Sequence, residues 1–283
     1  MIAASMVWGL SPLYYALLAT VPPAEVLSHR TTWSVCVFVV LLLWQGRLRE
    51  VPRAIDTGRK LLLVVAASAM ISTNWFLFIF AVGAGRTVEA SLGYYIFPLV
   101  AVLIGAAVLR EPLARSQMVA VGLATIAVLI LTVGLGAAPW ISLTLATTFG
   151  LYGLLKRWVA AGPVVSVTTE VLVLAPLAVA YLIWFGSDVF RTDPVLALLL
   201  VLSGPMTAIP LVLFSYGVKR TTMATTGLLQ YMNPTLQFAV AVLILNESPT
   251  VWHAIAFPLI WLALAIYSSH TLRASRIPRP PLT

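Results

Sequence analysis

His29 and Arg30 stand side by side in the stretch VLSHRTTW, a few residues into a long apolar run, and Glu170 stands at a comparable depth in VTTEVLVLAP. An imidazole titrates near neutral pH, so a histidine there takes or releases a proton readily. A guanidinium presents a planar fork of donors that matches a carboxylate. A glutamate carboxylate receives an ammonium or a proton. Such groups near a helix centre cost about 2.5–3.5 kcal/mol each on insertion scales, so they face a cavity or a partner. Three readings of the His-Arg pair stand. Arg30 reaches the headgroups with His29 at the interface; or one of the two makes a fixed hydrogen-bonded pair; or both line a transport cavity, with Arg30 clamping a carboxylate. Glu170 has a shorter side chain and reaches an interface less easily, which favours a cavity there.

Other polar and aromatic residues gather in the same way. STNWF places Asn74 and Trp75 in mid-run, GYYIFP places Tyr94 and Tyr95 one turn before Pro98, and LLQYMNPTLQF places Gln230, Tyr231, Asn233 and Gln237 around Pro234. A proline inside a helix frees a carbonyl and kinks the chain, which a membrane tolerates where the freed group finds a partner or water. Pro98 and Pro234 therefore read as kinks beside a polar or phenolic lining. The candidates for substrate binding are Arg30, Asn74, Trp75, Tyr94, Gln230, Tyr231 and Asn233; those for coupling or an ionisable cavity lining are His29, Glu170 and Glu89. Ordinary packing is the competing explanation for each aromatic. For Glu89 it is an ion pair with Arg86 among the headgroups.

Catalysis finds little support. The three histidines are scattered at 29, 253 and 270, Cys36 is the lone cysteine, and no clustered nucleophiles, paired acids or metal ligands appear. No nucleotide-binding motif appears either, so direct ATP coupling is not expected, nor is any cofactor or metal. The net charge of +8 comes from residues in short loops rather than from a basic run interleaved with aromatics, so nucleic acid is not an expected partner.

The elements that position these residues follow from composition. The chain has 283 residues, 61% hydrophobic and 9% charged, and a mean hydropathy of +1.01. Soluble chains carry about 25% charged residues. The apolar residues come in blocks of about 20, the length that crosses a hydrocarbon core about 30 Å thick. Turn and charge signals predict ten spans near 2–20, 24–45, 61–83, 87–109, 114–133, 138–158, 164–186, 194–218, 222–245 and 250–271. The tail from 272 to 283 reads as a disordered cytoplasmic segment. The N-terminus lacks the basic region of a cleaved signal and begins almost inside its first span, so either a few preceding cytoplasmic residues or a different start is expected. With the N-terminus inside, fourteen of the seventeen Lys and Arg residues fall on the inner side and two, Arg86 and Arg191, on the outer. That bias predicts cytoplasmic N- and C-termini.

The chain also contains itself twice. Phe80, Gly83, Arg86, Thr87, Ala90 and Gly93 recur as Phe214, Gly217, Arg220, Thr221, Ala224 and Gly227 at an offset of 134, and Pro98 and Glu111 recur as Pro234 and Glu247 at 136. Upstream, Trp8-Gly9-Leu10 matches Phe149-Gly150-Leu151 at 141, an offset that puts His29 on Glu170. Five spans per half is odd, so the halves must point in opposite directions. The expectation is an all-α membrane protein with ten transmembrane helices in a five-plus-five inverted-topology repeat, residues 1–137 and 138–271. Such repeats serve alternating access, with substrate bound near the midplane.

The motifs WGLSPLY, EVLSHRTTWS, NWFLFIFAVGAGRTVEASLGYYIFPL, FGLYGLLK, TTEVLVLAPLA and TGLLQYMNPTLQFAVAVLILNE resemble those of the RarD-type transporters, in the EamA branch of the drug/metabolite transporter superfamily. The resemblance runs from Trp8 to about Ile266. It implies a ten-helix, two-repeat carrier in a bacterial inner membrane with both termini inside. It also implies a role for His29, Arg30, Asn74, Trp75, Glu89, Tyr94, Glu170, Gln230, Tyr231 and Pro234. Members of the superfamily export amino acids, other metabolites and some drugs. Phe97 departs from the family by standing where an Asn precedes the proline, a position Asn233 keeps in the second half.

These readings converge on a secondary transporter in the lipid bilayer, and not an enzyme. It exports a small amphipathic metabolite, best matched by an amino acid or related zwitterion, with protons as the expected coupling ion. The alternatives are a hydrophobic-drug or chloramphenicol-type transporter and a non-transporting scaffold subunit.

Overall fold

Apolar runs of this length fold as helices in lipid because every backbone N–H and C=O must be satisfied within the segment. The computed structural model describes residues 2–110, 113–136, 139–218, 229 and 231–276, with side chains omitted at 215–218 and 270–276. It is all-helical, with no strand among the described residues. Among those residues, ten helices of twelve or more residues follow in order: α1 (Ile2–Ala16), α2 (Pro23–Trp44), α3 (Gly58–Gly83), α4 (Thr87–Leu109), α5 (Arg115–Leu135), α6 (Trp140–Trp158), α7 (Pro163–Phe185), α8 (Pro194–Val218), α9 (Met232–Leu243) and α10 (Val251–Arg276). Two single-turn helices, Glu50–Arg53 and Val189–Thr192, sit in the connections.

Local signals set the ends. Pro23 and Pro163 open α2 and α7 in the first turn, where a missing N–H costs nothing. The Thr57 hydroxyl accepts the Lys60 N–H at the start of α3. Gly136 closes α5 at φ +67°, in the left-handed region that glycine enters freely.

Seven of the described helices are long and apolar enough to cross a membrane: α2, α3, α4, α5, α7, α8 and α10. The chain is therefore an all-α membrane protein. The other three fall short for visible reasons. α1 ends at Ala16 rather than near 20, α9 is described over twelve residues, and α6 carries Lys156 and Arg157 in its last turn. The expected span near 222–245 begins in residues outside the described set.

Burial runs opposite to that of a soluble protein. Large apolar side chains such as Val40, Trp44, Leu62, Val133, Leu177, Ile183 and Trp184 are exposed, whereas Ser34, Ser68, Asn74, Thr168, Glu170 and Gln237 are buried. A lipid solvent accounts for both. Three apolar clusters hold the helices: one joins α4, α5, α6, α9 and α10, one joins α1, α2, α3, α4, α6 and α8, and one joins α2, α7 and α8.

The pairings are reciprocal. α4 packs on α6 and α9 on α1; α3 packs on α6 and α8 on α1; α2 packs on α8 and α7 on α3. α2 with α7, α4 with α9, and α5 with α10 complete the set. Exchanging α1–α5 with α6–α10 maps each of these pairs onto another or onto itself. Close approach occurs at matching glycines. A Cβ on Gly9 would lie 2.6 Å from Leu236 Cβ, and one on Gly150 would lie 2.8 Å from Ile104 Cδ1 and 3.6 Å from Val100 Cγ1.

Candidate functional site

Arg30 lies in the second turn of α2 and is 7% exposed. Its Nε–H donates to Thr207 Oγ1 of α8 at 2.8 Å. That hydroxyl spends its own proton on the Ser203 carbonyl at 3.0 Å, so it can only accept from the guanidinium. The guanidinium carbon lies 4.1 Å from the Trp75 ring centroid on α3 and 5.8 Å from that of Tyr15 on α1. Four helices thus meet on one charge. The ion pairs among the described residues are Arg47–Glu50, Lys60–Asp56, Arg86–Glu89 and Lys156–Glu170. Arg30 has no carboxylate partner among them.

Asn74 and Trp75 are consecutive, so they leave α3 about 100° apart. Trp75 turns to Arg30, and Asn74 turns to α6. The Asn74 amide donates to the Leu145 carbonyl at 2.9 Å and to Thr148 Oγ1 at 3.2 Å, and its oxygen accepts from Tyr94 Oη at 2.9 Å. Both N–H donors are engaged, which marks Asn74 as a fixed joint between α3, α4 and α6. Tyr94 is held further by Phe78 and Phe149, each with its centroid 6.0 Å away.

A second polar station lies along α6. Glu170 on α7 is 1% exposed. Its Oε1 takes the Lys156 ammonium at 2.6 Å and the Ser166 hydroxyl at 2.9 Å, and its Oε2 takes the Tyr152 hydroxyl at 2.9 Å. Lys156 also touches Ser166 Oγ. Tyr152 and Lys156 are four residues apart on α6, as are Ser166 and Glu170 on α7, so one face of each helix supplies two groups. Phe149 stacks on Tyr152 at 6.1 Å and meets Tyr94 edge-on, joining the two stations by an aromatic bridge.

Other candidates lie elsewhere. His29 stacks on Phe190 of the Val189–Thr192 turn, centroids 4.8 Å apart at 17°, one residue and one face away from Arg30. Glu89 forms a two-pronged pair with Arg86 at 2.6 and 2.9 Å, at the start of α4. Tyr231 packs against the cluster of α4, α5, α6, α9 and α10. It is Tyr95, not Tyr94, that reaches α9, through Thr235 Oγ1 at 2.7 Å. Asn233 Oδ1 accepts from Gln237 Nε2 at 2.8 Å, and that nitrogen also approaches the Trp8 carbonyl at 3.4 Å. Pro98 lies inside the unbroken helix α4, Pro234 lies in the first turn of α9, and Gln230 falls outside the described residues.

Sequence reading misses Thr207, Tyr15, Tyr152, Ser166 and Lys156. The four-residue spacings are the available signal for the last three. It also misses Glu247, whose two carboxylate oxygens accept the Thr87 and Val88 N–H groups at 2.7 and 2.8 Å and so cap α4 from the other half of the chain.

The profile of the EamA-like transporter family matches the chain twice, over residues 1–133 and 137–269. A protein named RarD from Streptomyces exfoliatus is 43% identical over 279 residues, covering 97% of this chain and 89% of that protein. An uncharacterized transporter of Vibrio cholerae is 39% identical, covering 98% of this chain and 93% of its own. A solved crystal structure with 23% identity superposes at a TM-score of 0.66, covering 97% of this chain and 96% of the other, which shows a shared fold.

Proposed function

The chain belongs to the EamA-like transporter family, and from that membership we propose that it is a secondary carrier of a small amphipathic, carboxylate-bearing metabolite, an amino acid or related zwitterion. The observation that carries this reading is Arg30. A buried guanidinium without a carboxylate is costly, and its planar fork suits a carboxylate in two-pronged geometry. Thr207 fixes Nε, and no hydrogen bond to the Nη groups is found among the described residues, so that edge is the one left for a solute. The rings of Trp75 and Tyr15 give the site an aromatic wall for the apolar part of the molecule.

Movement would be alternating access between two inverted five-helix repeats, residues 1–137 and 138–271, with ten crossings. The double family match supports this reading. So does the reciprocal packing of Gly9 on Leu236 and Gly150 on Val100, since these positions are related by the sequence offsets 141 and 136. The charge bias supports termini on the cytoplasmic side of a bacterial inner membrane, and the carrier works as an exporter in this scheme. Protons are its coupling ion, with Glu170 as the acceptor. His29 is the second titratable group. Flux that ignores a pH gradient and persists in Glu170→Gln removes the coupling claim.

A thermal-shift panel on the detergent-purified protein tests the solute class. The panel holds phenylalanine, its methyl ester, 3-phenylpropionate, phenethylamine and chloramphenicol. A ligand at a hundredfold excess over Kd stabilises by about 2.7 kcal/mol. Shifts with phenylalanine and 3-phenylpropionate that are lost in Arg30→Gln support the carboxylate site. A shift with chloramphenicol alone replaces it with an apolar-drug pocket.

A further inference from the structure

Glu170 holds a carboxylate, 1% exposed, with three donors on it. One of the three is different in kind. Tyr152 and Ser166 are fixed on helix faces, whereas Lys156 reaches Glu170 from the last turn of α6 on a flexible four-carbon stem, with 22% of its side chain exposed. Its ammonium sits 5.4 Å from the Tyr152 ring centroid. The ammonium is thus surrounded by a carboxylate oxygen, a hydroxyl and an aromatic ring, which is the environment a free primary ammonium seeks.

We propose that the Glu170–Tyr152–Ser166 cluster is a binding site for a primary ammonium, and that Lys156 is its tethered occupant, displaced when a solute ammonium binds. This rests on the reading of the chain as a carrier of zwitterions and adds the second half of the recognition. With Lys156 seated, the cluster is neutral, and Arg30 is left as the uncompensated charge, so this state receives a carboxylate. With Lys156 withdrawn, the cluster carries a full negative charge and receives an amine. Phe149 and Tyr152 carry ring contacts from the Glu170 cluster along α6 to Tyr94. An intramolecular competitor lowers the apparent affinity for the external ligand by the fraction of time it occupies the site. That keeps the cluster from trapping amines that lack a carboxylate.

Phenethylamine and 3-phenylpropionate separate the two claims, since each carries one of the two groups. Lys156→Gln keeps a donor for Glu170 and removes the charge. In this variant phenethylamine binds at least about tenfold tighter than in the parent, and Lys156→Gln/Glu170→Gln cancels the gain. Binding of 3-phenylpropionate reports on Arg30 instead, and its loss in Arg30→Gln is independent of Lys156. In the unmodified protein, saturating phenethylamine raises acetylation of Lys156 relative to that of Lys60 at least about threefold by the same reasoning, read by mass spectrometry as a ratio, since the free amine consumes part of the reagent for both lysines alike. This second readout needs no variant to fold. Unchanged phenethylamine affinity in a folded Lys156→Gln protein, or an unchanged Lys156-to-Lys60 labelling ratio at saturation, overturns the proposal. Binding of 3-phenylpropionate that ignores Arg30 overturns the carboxylate site and leaves the ammonium result standing.

Discussion

Replacing Arg30 with glutamine distinguishes a guanidinium that binds solute from one that holds the fold. The favourable contacts are the desolvated cation–π arrangement on Trp75 at 4.1 Å and the charged hydrogen bond to Thr207 at 2.8 Å. The first is worth about 2 kcal/mol and the second about 1.5–3 kcal/mol. Against them stands the effective penalty of burying an unpaired charge, several kcal/mol. The two sides nearly cancel, so Arg30→Gln changes the stability of the unliganded protein by less than about 1 kcal/mol. Solute binding behaves otherwise. Truncating one member of a buried, hydrogen-bonded charge pair costs about 2–5 kcal/mol, and about 3 kcal/mol corresponds to about 150-fold in Kd. Titration calorimetry of 3-phenylpropionate into parent and variant, with a thermal melt of each, reads both quantities. A variant that melts far below the parent while keeping its Kd refutes the reasoning, because Arg30 would then be a structural pillar.

Trp75→Leu removes the ring under the guanidinium and weakens 3-phenylpropionate by about tenfold, with Trp75→Phe recovering part of the loss; calorimetry decides. Glu247→Gln weakens the charged cap on Thr87 and Val88 and lowers stability by about 1–2 kcal/mol, measured by denaturation in detergent. An E247Q protein as stable as the parent would mean the cap is incidental. Gly9→Ala sets a methyl 2.6 Å from Leu236 Cβ, atoms that no rotamer change can separate. It costs about 1–3 kcal/mol as α1 and α9 are pushed apart, visible as a lowered melting temperature.

The order and approximate ends of the helices are legible in the sequence because period, turn residues and charge all speak locally. Contacts between distant helices are not. Arg30 and Trp75 both stand out, yet nothing in VLSHRTTW or STNWF says that one lies over the other, since their helices meet only in the packed bundle. Thr207 and Tyr15 carry no signal, being ordinary residues in apolar runs. Lys156 looks like a loop charge because sequence locates its Cα near a helix end, while its long stem carries the ammonium back to Glu170. His29 and Arg30 look like one unit, but neighbouring residues on a helix face different ways, and His29 goes to Phe190 instead. The doublet Tyr94-Tyr95 shows the same limit: sequence favours Tyr94 for the cavity, and only the helix phase reveals that Tyr95 reaches Thr235. α1 stops short of its expected end because the chain turns at 17–20 before Pro22 and Pro23.

The central claim is that this carrier moves a carboxylate-bearing solute through the Arg30 site. Counterflow in proteoliposomes preloaded with unlabelled phenylalanine, with labelled phenylalanine outside, measures it without assuming a driving ion. The account predicts transient, saturable accumulation by the parent and background uptake by Arg30→Gln protein reconstituted at equal density. Counterflow of equal rate and affinity in the two proteins would contradict it.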